Sequence, residues 1–155
     1  MIDDGAMQVE SGEQQLKVLI VDDHGVVRQG MRTYLSMVPD IVVIDEAADG
    51  QQALERLEAL AQVGALPDVV LMDILMPRLD GIAATDAIKK RFPLVEVVVL
   101  TSFVEEAKVQ AALEAGATGY LLKDAEADEV AAAVRAAHRG EQQLDPAVAG
   151  ELMRA

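Results

Sequence analysis

The 155 residues carry 27 acids against 13 Lys and Arg, a net charge of −14, and are 52% hydrophobic with only 3% aromatics. That length suits one domain with an aliphatic core, and an acidic surface without a basic stripe argues against nucleic-acid binding by this segment. Without cysteine there is no disulfide frame, thiolate nucleophile or Cys-based zinc site, and no apolar run approaches the roughly 20 residues of a membrane span. The acidic N-terminus is unlike a signal peptide, so a cytoplasmic protein with no membrane partner is expected.

Residues 1–15 are polar and aperiodic and read as a disordered leader. Leu16 to Val21 then predicts a strand ending on Asp22-Asp23, and Val27, Met31, Leu35 and Val38 mark one face of a helix that Pro39 closes. Ile41 to Ile44 predicts a second strand. Asp49 suits the N-cap of a helix bearing Ala53, Leu54, Leu57 and Leu60, with Gln52 three residues on. After Gly64 and Pro67, the run Val69 to Met72 predicts a strand buried on both faces that ends on Asp73.

Asp80 suits the cap of a helix with Ile82, Ala87 and Ile88 inward, stopped near Phe92-Pro93. Val95 to Leu100 predicts a fourth strand, ending on Thr101-Ser102. Ser102 and Glu105 suggest a capping box for a helix of Val109, Ala112 and Leu113 that stops at Gly116. Gly119 to Leu122 predicts a fifth strand ending on Lys123. Asp124 is expected to cap a last helix with Val130, Val134 and Ala137 inward and Gly140 after it.

Five alternations of strand and helix, with near-continuous aliphatic strands, call for a parallel sheet between two helix layers. In such a sheet Asp22, Asp23, Asp73, Thr101 and Lys123 all reach one edge, the edge where ligands bind. Three crowded carboxylates repel unless a cation intervenes, and oxygen-only ligands favour Mg²⁺. Neither His24 nor His138, both placed at helix ends, is expected to be a ligand. With the cation present, Asp73 can attack a phosphoryl group as an oxygen nucleophile. Lys123 would then neutralise phosphoryl charge and the Thr101 hydroxyl could bond a phosphoryl oxygen.

This set, with Met76-Pro77 after Asp73, resembles the signature of two-component response-regulator receiver domains across about residues 16–140. The resemblance implies a flavodoxin-like, doubly wound (βα)5 sheet in the order 2-1-3-4-5. It implies that Asp73 is the phosphoacceptor, with Mg²⁺ held by Asp22, Asp23, Asp73 and the Leu75 carbonyl. It also implies that Thr101 and Tyr120 are paired switch residues and that Lys123 binds the phosphate. Gly119 to Ala125 looks like the NarL/LuxR-type subgroup, and residues 141–155 resemble the start of that subgroup's linker toward a helix-turn-helix DNA-binding domain. The implied partners are a sensor histidine kinase and a second copy on phosphorylation, with DNA bound only by the output domain and no enzymatic turnover beyond self-phosphotransfer and slow self-dephosphorylation. The slow loss is expected because Leu75 and Phe103 flank the site and neither can orient a water.

Three other readings compete. A stand-alone phosphorelay receiver would use the same site. An aspartyl-phosphate phosphohydrolase would need a second acid two residues after the nucleophile, where Leu75 stands, and a substrate cap. A flavodoxin-type protein would need a Ser/Thr-rich loop where Asp22-Asp23-His24 lies.

Overall fold

Strands β1 (Leu16–Val21), β2 (Ile41–Ala47), β3 (Val69–Asp73), β4 (Glu96–Thr101), β5 (Gly119–Leu122) and β6 (Gln143–Leu144) form one sheet in the order β2-β1-β3-β4-β5-β6, with every pairing parallel. The helices between and after them are α1 (Gly25–Leu35), α2 (Gly50–Gln62), α3 (Gly81–Arg91), α4 (Glu106–Glu114), α5 (Ala127–His138) and α6 (Pro146–Arg154). The computed structural model describes residues 15–102 and 104–154, so Phe103 and all of the expected 1–15 leader except Gln15 lie outside the described residues.

Strand alternation sorts the core into two layers. Leu19, Val70, Met72, Val97, Val99 and Tyr120 face α2, α3 and α4, against Leu57, Ile88 and Val109. Val18, Ile20, Leu71, Val98, Leu100 and Leu121 face α1 and α5, against Leu35, Val130 and Val134. Because both faces are covered, the central strands hold almost only aliphatic residues, and all five residues of β3 are buried. The chain steps outward from β1 to β2 and then crosses back to β3, so the order reverses between β1 and β3. The expected order 2-1-3-4-5 is present, and a sixth strand extends it.

That sixth strand comes from the segment read as the start of a linker. Gln143 and Leu144 pair with Gly119 and Tyr120, and the Asp145 amide donates to the Tyr120 carbonyl at 3.1 Å. Val148 of α6 is buried in the layer that also holds Val109, Ala112 and Tyr120.

Two expected caps are replaced. Helix α4 is preceded by Glu105, which makes no side-chain cap bond, so no Ser102–Glu105 box forms. Helix α5 starts only at Ala127, where the Glu126 amide donates to Glu129 Oε1 at 2.7 Å. Asp124 instead lies in a turn closed by the Ala125 amide on the Leu122 carbonyl at 3.0 Å, a turn that holds Lys123 at the strand end. The caps at Asp49 and Asp80 form, accepting from the Gln52 and Ala83 amides at 2.8 Å each. Strand β2 runs on to Ala47, and in α3 the most buried residues include Ala84 and Thr85 beside Ile88.

Candidate functional site: an acidic pocket at the C-terminal edge of the sheet

The reversal between β1 and β3 opens a crevice above their C-terminal ends. Strand β1 delivers Asp22 and Asp23 there, and β3 delivers Asp73. The ligand atoms of Asp22, Asp23, His24 and Asp73 all lie within 4.8 Å of one another. Asp22 is buried, Asp73 is 5% exposed, and Asp23 is partly open.

Lys123 enters from the end of β5. Its Nζ lies 2.7 Å from Asp22 Oδ2 and 3.3 Å from Asp73 Oδ1. The Lys123 amide donates to the Thr101 carbonyl at 2.7 Å, which ties the ends of β4 and β5 together. Register places Asp73 beside Leu100, so buried Thr101 follows one residue later on the neighbouring strand. The pocket therefore contains all four charged groups expected there.

Charge within it is unbalanced. Burial pushes the Asp73 carboxyl above the ordinary carboxylate range, Asp22 adds repulsion, and Lys123 only partly opposes them. Burial also disfavours the charge on Lys123, but its pairing with Asp22 and Asp73 outweighs this and holds its pKa above the usual lysine value. Asp22 Oδ2 and Asp23 Oδ1 are buried oxygens that accept no well-aligned hydrogen bond, although Lys123 and the His24 ring stand at ion-pair distance. Under-satisfied carboxylate oxygens around a buried acid are what a hard divalent cation would complete.

The pocket predicts a stability effect. An acid whose folded pKa is raised contributes fully below its unfolded value near 3.8, and that contribution is lost as pH rises through the folded value. Asp73→Asn removes this loss. In EDTA the variant is expected to be more stable than wild type at pH 7, with a higher Tm. The gap should shrink as pH falls toward 4. Thermal melts across that range check it, and a variant less stable at pH 7 would contradict it.

His24 is placed by the sequence at the start of a surface helix and not among the ligands. It does begin α1 and is 65% exposed, yet its Nδ1 lies 3.2 Å from Asp22 Oδ1 and 3.0 Å from Asp23 Oδ1. Adjacency to the two aspartates was the available signal. Arg28 was also missed: its Nη1 donates to the Asp22 carbonyl at 2.5 Å while its Nε donates to Glu46 at 3.0 Å. His138 lies at the C-terminal end of α5 and is exposed.

Tyr120 occupies the layer under α4 and α6 and is 1% exposed, so its ring is already inward. Burial, with Glu105 nearby, pushes its hydroxyl pKa up to about 12. Leu75 is 52% exposed at the pocket rim, whereas Ile74 before it is buried in the core.

A doubly wound parallel sheet with a buried aspartate, two flanking acids and a lysine at its switch point defines an acid-pocket α/β signalling domain. The chain belongs to the response regulator receiver domain family, which matches residues 18–135. It is similar to the transcriptional regulatory protein LiaR of Bacillus subtilis (strain 168), 44% identical over 138 residues that cover 89% of this chain and 63% of LiaR. It is also similar to the response regulator protein VraR of Staphylococcus aureus (strain COL), 45% identical over 133 residues that cover 86% of this chain and 61% of VraR. A solved LuxR-family two-component response regulator from Aurantimonas sp. SI85-9A1 superposes with a TM-score of 0.80 at 31% identity, covering 90% of this chain and 96% of that one. The chain thus spans less than two thirds of the length of LiaR and VraR. Among the described residues no helix is long and apolar enough to cross a membrane.

Proposed function

We propose that this chain is a phosphorylation-activated receiver whose acceptor is Asp73, fed by a sensor histidine kinase. The observation that carries the reading is the buried Asp73 carboxylate with Lys123 Nζ 3.3 Å away and two more carboxylates within ligand distance. Asp22, Asp23, Asp73 and the Leu75 carbonyl would hold Mg²⁺. Bound there, the ion would relieve repulsion among the acids and neutralise phosphoryl oxygens.

An Asp73 carboxylate oxygen forms the new O–P bond as the P–N bond to the donor histidine breaks and the electron pair leaves with the imidazole. Lys123 shifts its ammonium from the carboxylates to a phosphoryl oxygen. The Thr101 hydroxyl donates to another. The product carries about −1.5 to −2 charges where one carboxylate stood. Incubating the chain with Mg²⁺ and acetyl phosphate, read by intact mass, tests the reading directly, because a receiver gains one phosphoryl group.

Activation is read out by self-association and, through the output domain that LuxR-family regulators carry, by DNA binding. The switch runs through Thr101 and Tyr120. Since Tyr120 is already buried here, the relevant change is a repacking of its ring beneath α4 rather than an entry from solvent. Thr101→Ala should keep phosphorylation within about threefold while weakening phosphorylation-dependent dimerisation about tenfold, the scale of one lost charge-assisted hydrogen bond. Sedimentation with and without acetyl phosphate measures this, and undiminished dimerisation would count against it.

The acyl phosphate should also be long-lived. Leu75, two residues past Asp73, is an aliphatic side chain where a phosphatase would place an acid, and Phe103, the other flanking residue, lies outside the described residues. Neither supplies a general base. Loss of label within seconds in purified protein would contradict the proposal.

A further inference from the structure

Arg78 is the one non-glycine residue with positive φ, 68°, among the described residues. It lies at the centre of a tight turn in which the Leu79 amide donates to the Pro77 carbonyl at 2.8 Å. Such i to i+2 turns at positive φ are rare and strained for any residue with a Cβ, and glycine would adopt this one freely. What arginine adds is its side chain. The guanidinium pairs with Asp49 Oδ2, a carboxylate only 4% exposed, whose other oxygen caps α2 through the Gln52 amide at 2.8 Å.

The next residue along α2 grips the same loop. The Gly50 amide donates to the Leu79 carbonyl at 3.0 Å, and a Cβ at Gly50 would overlap that carbonyl. At the loop's other end the Gly81 amide donates to the Ile74 carbonyl at 2.8 Å, and Ile74 is anchored in the core. Between these two grips run Leu75, Met76 and Pro77, starting two residues after Asp73. Strain held in place by a specific side-chain pair beside a reactive carboxylate points from geometry to function.

We infer that the Arg78–Asp49 pair is a strut from α2 that positions the β3–α3 loop, and with it the Leu75 carbonyl, for cation binding. The inference rests on the receiver reading above and makes Arg78 and Asp49 positioning residues, since neither lies in the acidic pocket. Residues that orient metal ligands from behind typically change affinity by 10- to 100-fold when lost.

The test uses the full 155-residue chain with Arg78→Gly, which suits the positive φ, and Asp49→Asn, which keeps an N-cap side chain. Calorimetry with Mg²⁺ alone should show each variant binding about tenfold more weakly than wild type. The Mg²⁺ needed for half-maximal phosphorylation by acetyl phosphate should rise in step, while the rate at saturating Mg²⁺ stays within about twofold. Amide exchange at Leu75 and Met76 should quicken, the double variant should bind no more weakly than the worse single one, and Arg78→Lys should recover part of the loss. A pair that only stabilises the fold would lower Tm and leave Mg²⁺ affinity alone. Mg²⁺ binding within twofold of wild type in both folded variants, or additive losses in the double, overturns the strut. Wild type that binds no Mg²⁺ fails the receiver reading itself and the strut with it.

Discussion

Asp73→Asn is expected to gain no phosphoryl mass from acetyl phosphate and Mg²⁺ under conditions that should label the wild-type chain, a loss of at least about 100-fold in rate. The expectation follows from what the substitution leaves. An amide has the same shape and fits the same buried position, so the fold persists, but its oxygen is a far poorer nucleophile than a carboxylate. The neighbouring acids are not equivalent substitutes. Asp22 Oδ2 is held by Lys123 at 2.7 Å, and Asp22 Oδ1 accepts the His24 amide at 2.9 Å. Asp23 is the more open of the two, but its Oδ1 is engaged by the His24 ring at 3.0 Å. Asp73 is buried with Lys123 Nζ 3.3 Å from its Oδ1 and is free of the His24 contacts that engage the other two acids. Intact mass and peptide mapping measure the outcome, and labelling of Asp73→Asn at the wild-type rate would remove Asp73 as acceptor.

Gly81→Ala should be the most damaging single-methyl change near the pocket. An ideal Cβ at this position would overlap the Asp73 carbonyl oxygen and crowd the Asp73 carbonyl carbon and Ile74 Cα. All three are backbone atoms, so no side chain can swing away. The Gly81 amide bond to the Ile74 carbonyl at 2.8 Å holds α3 in that close approach. Relief requires α3 to back off from the end of β3, at a cost of about 3 kcal/mol. For a chain of this size that is a fall in Tm of roughly 6–12 °C. Gly30→Ala is the control: nothing lies within 4 Å of its added Cβ in the interior of α1. It should raise stability by about 0.5–1 kcal/mol through helix propensity. Thermal melts of the two variants check the pair, and similar effects of both would refute the close-approach account.

The order of elements and the pocket's charged residues could be read from sequence because both follow from short-range rules. Five aliphatic runs set a parallel sheet, and four of them end on a residue that the strand edge would carry, as with Asp73 after Met72 and Lys123 after Leu122. The caps at Asp49 and Asp80 were legible because side chain and helix start lie within three residues. The caps expected at Ser102 and Asp124 do not form, since the chain must first turn away from the sheet edge before a helix can begin. The Ala125–Leu122 turn takes up the residues that a cap at Asp124 would have needed. Arg28 and the Arg78–Asp49 pair were not legible for another reason. Their roles depend on partners up to 29 residues away, or on a backbone angle no side-chain pattern announces. The fold of residues 143–154 was hidden too, because a two-residue strand has no periodicity of its own.

That short strand has a consequence for solubility. A sheet of parallel strands has two outer edges, and a long bare edge is a template for pairing with other molecules. On one side β6 covers Gly119 and Tyr120 and is itself only two residues long, too short to seed an extended ladder. On the other side β2 is defended by charge: Asp45 and Glu46 project from it into ion pairs with Arg56, Arg28 and Arg32. Both outer edges of this aliphatic sheet are therefore poor templates for pairing with other molecules.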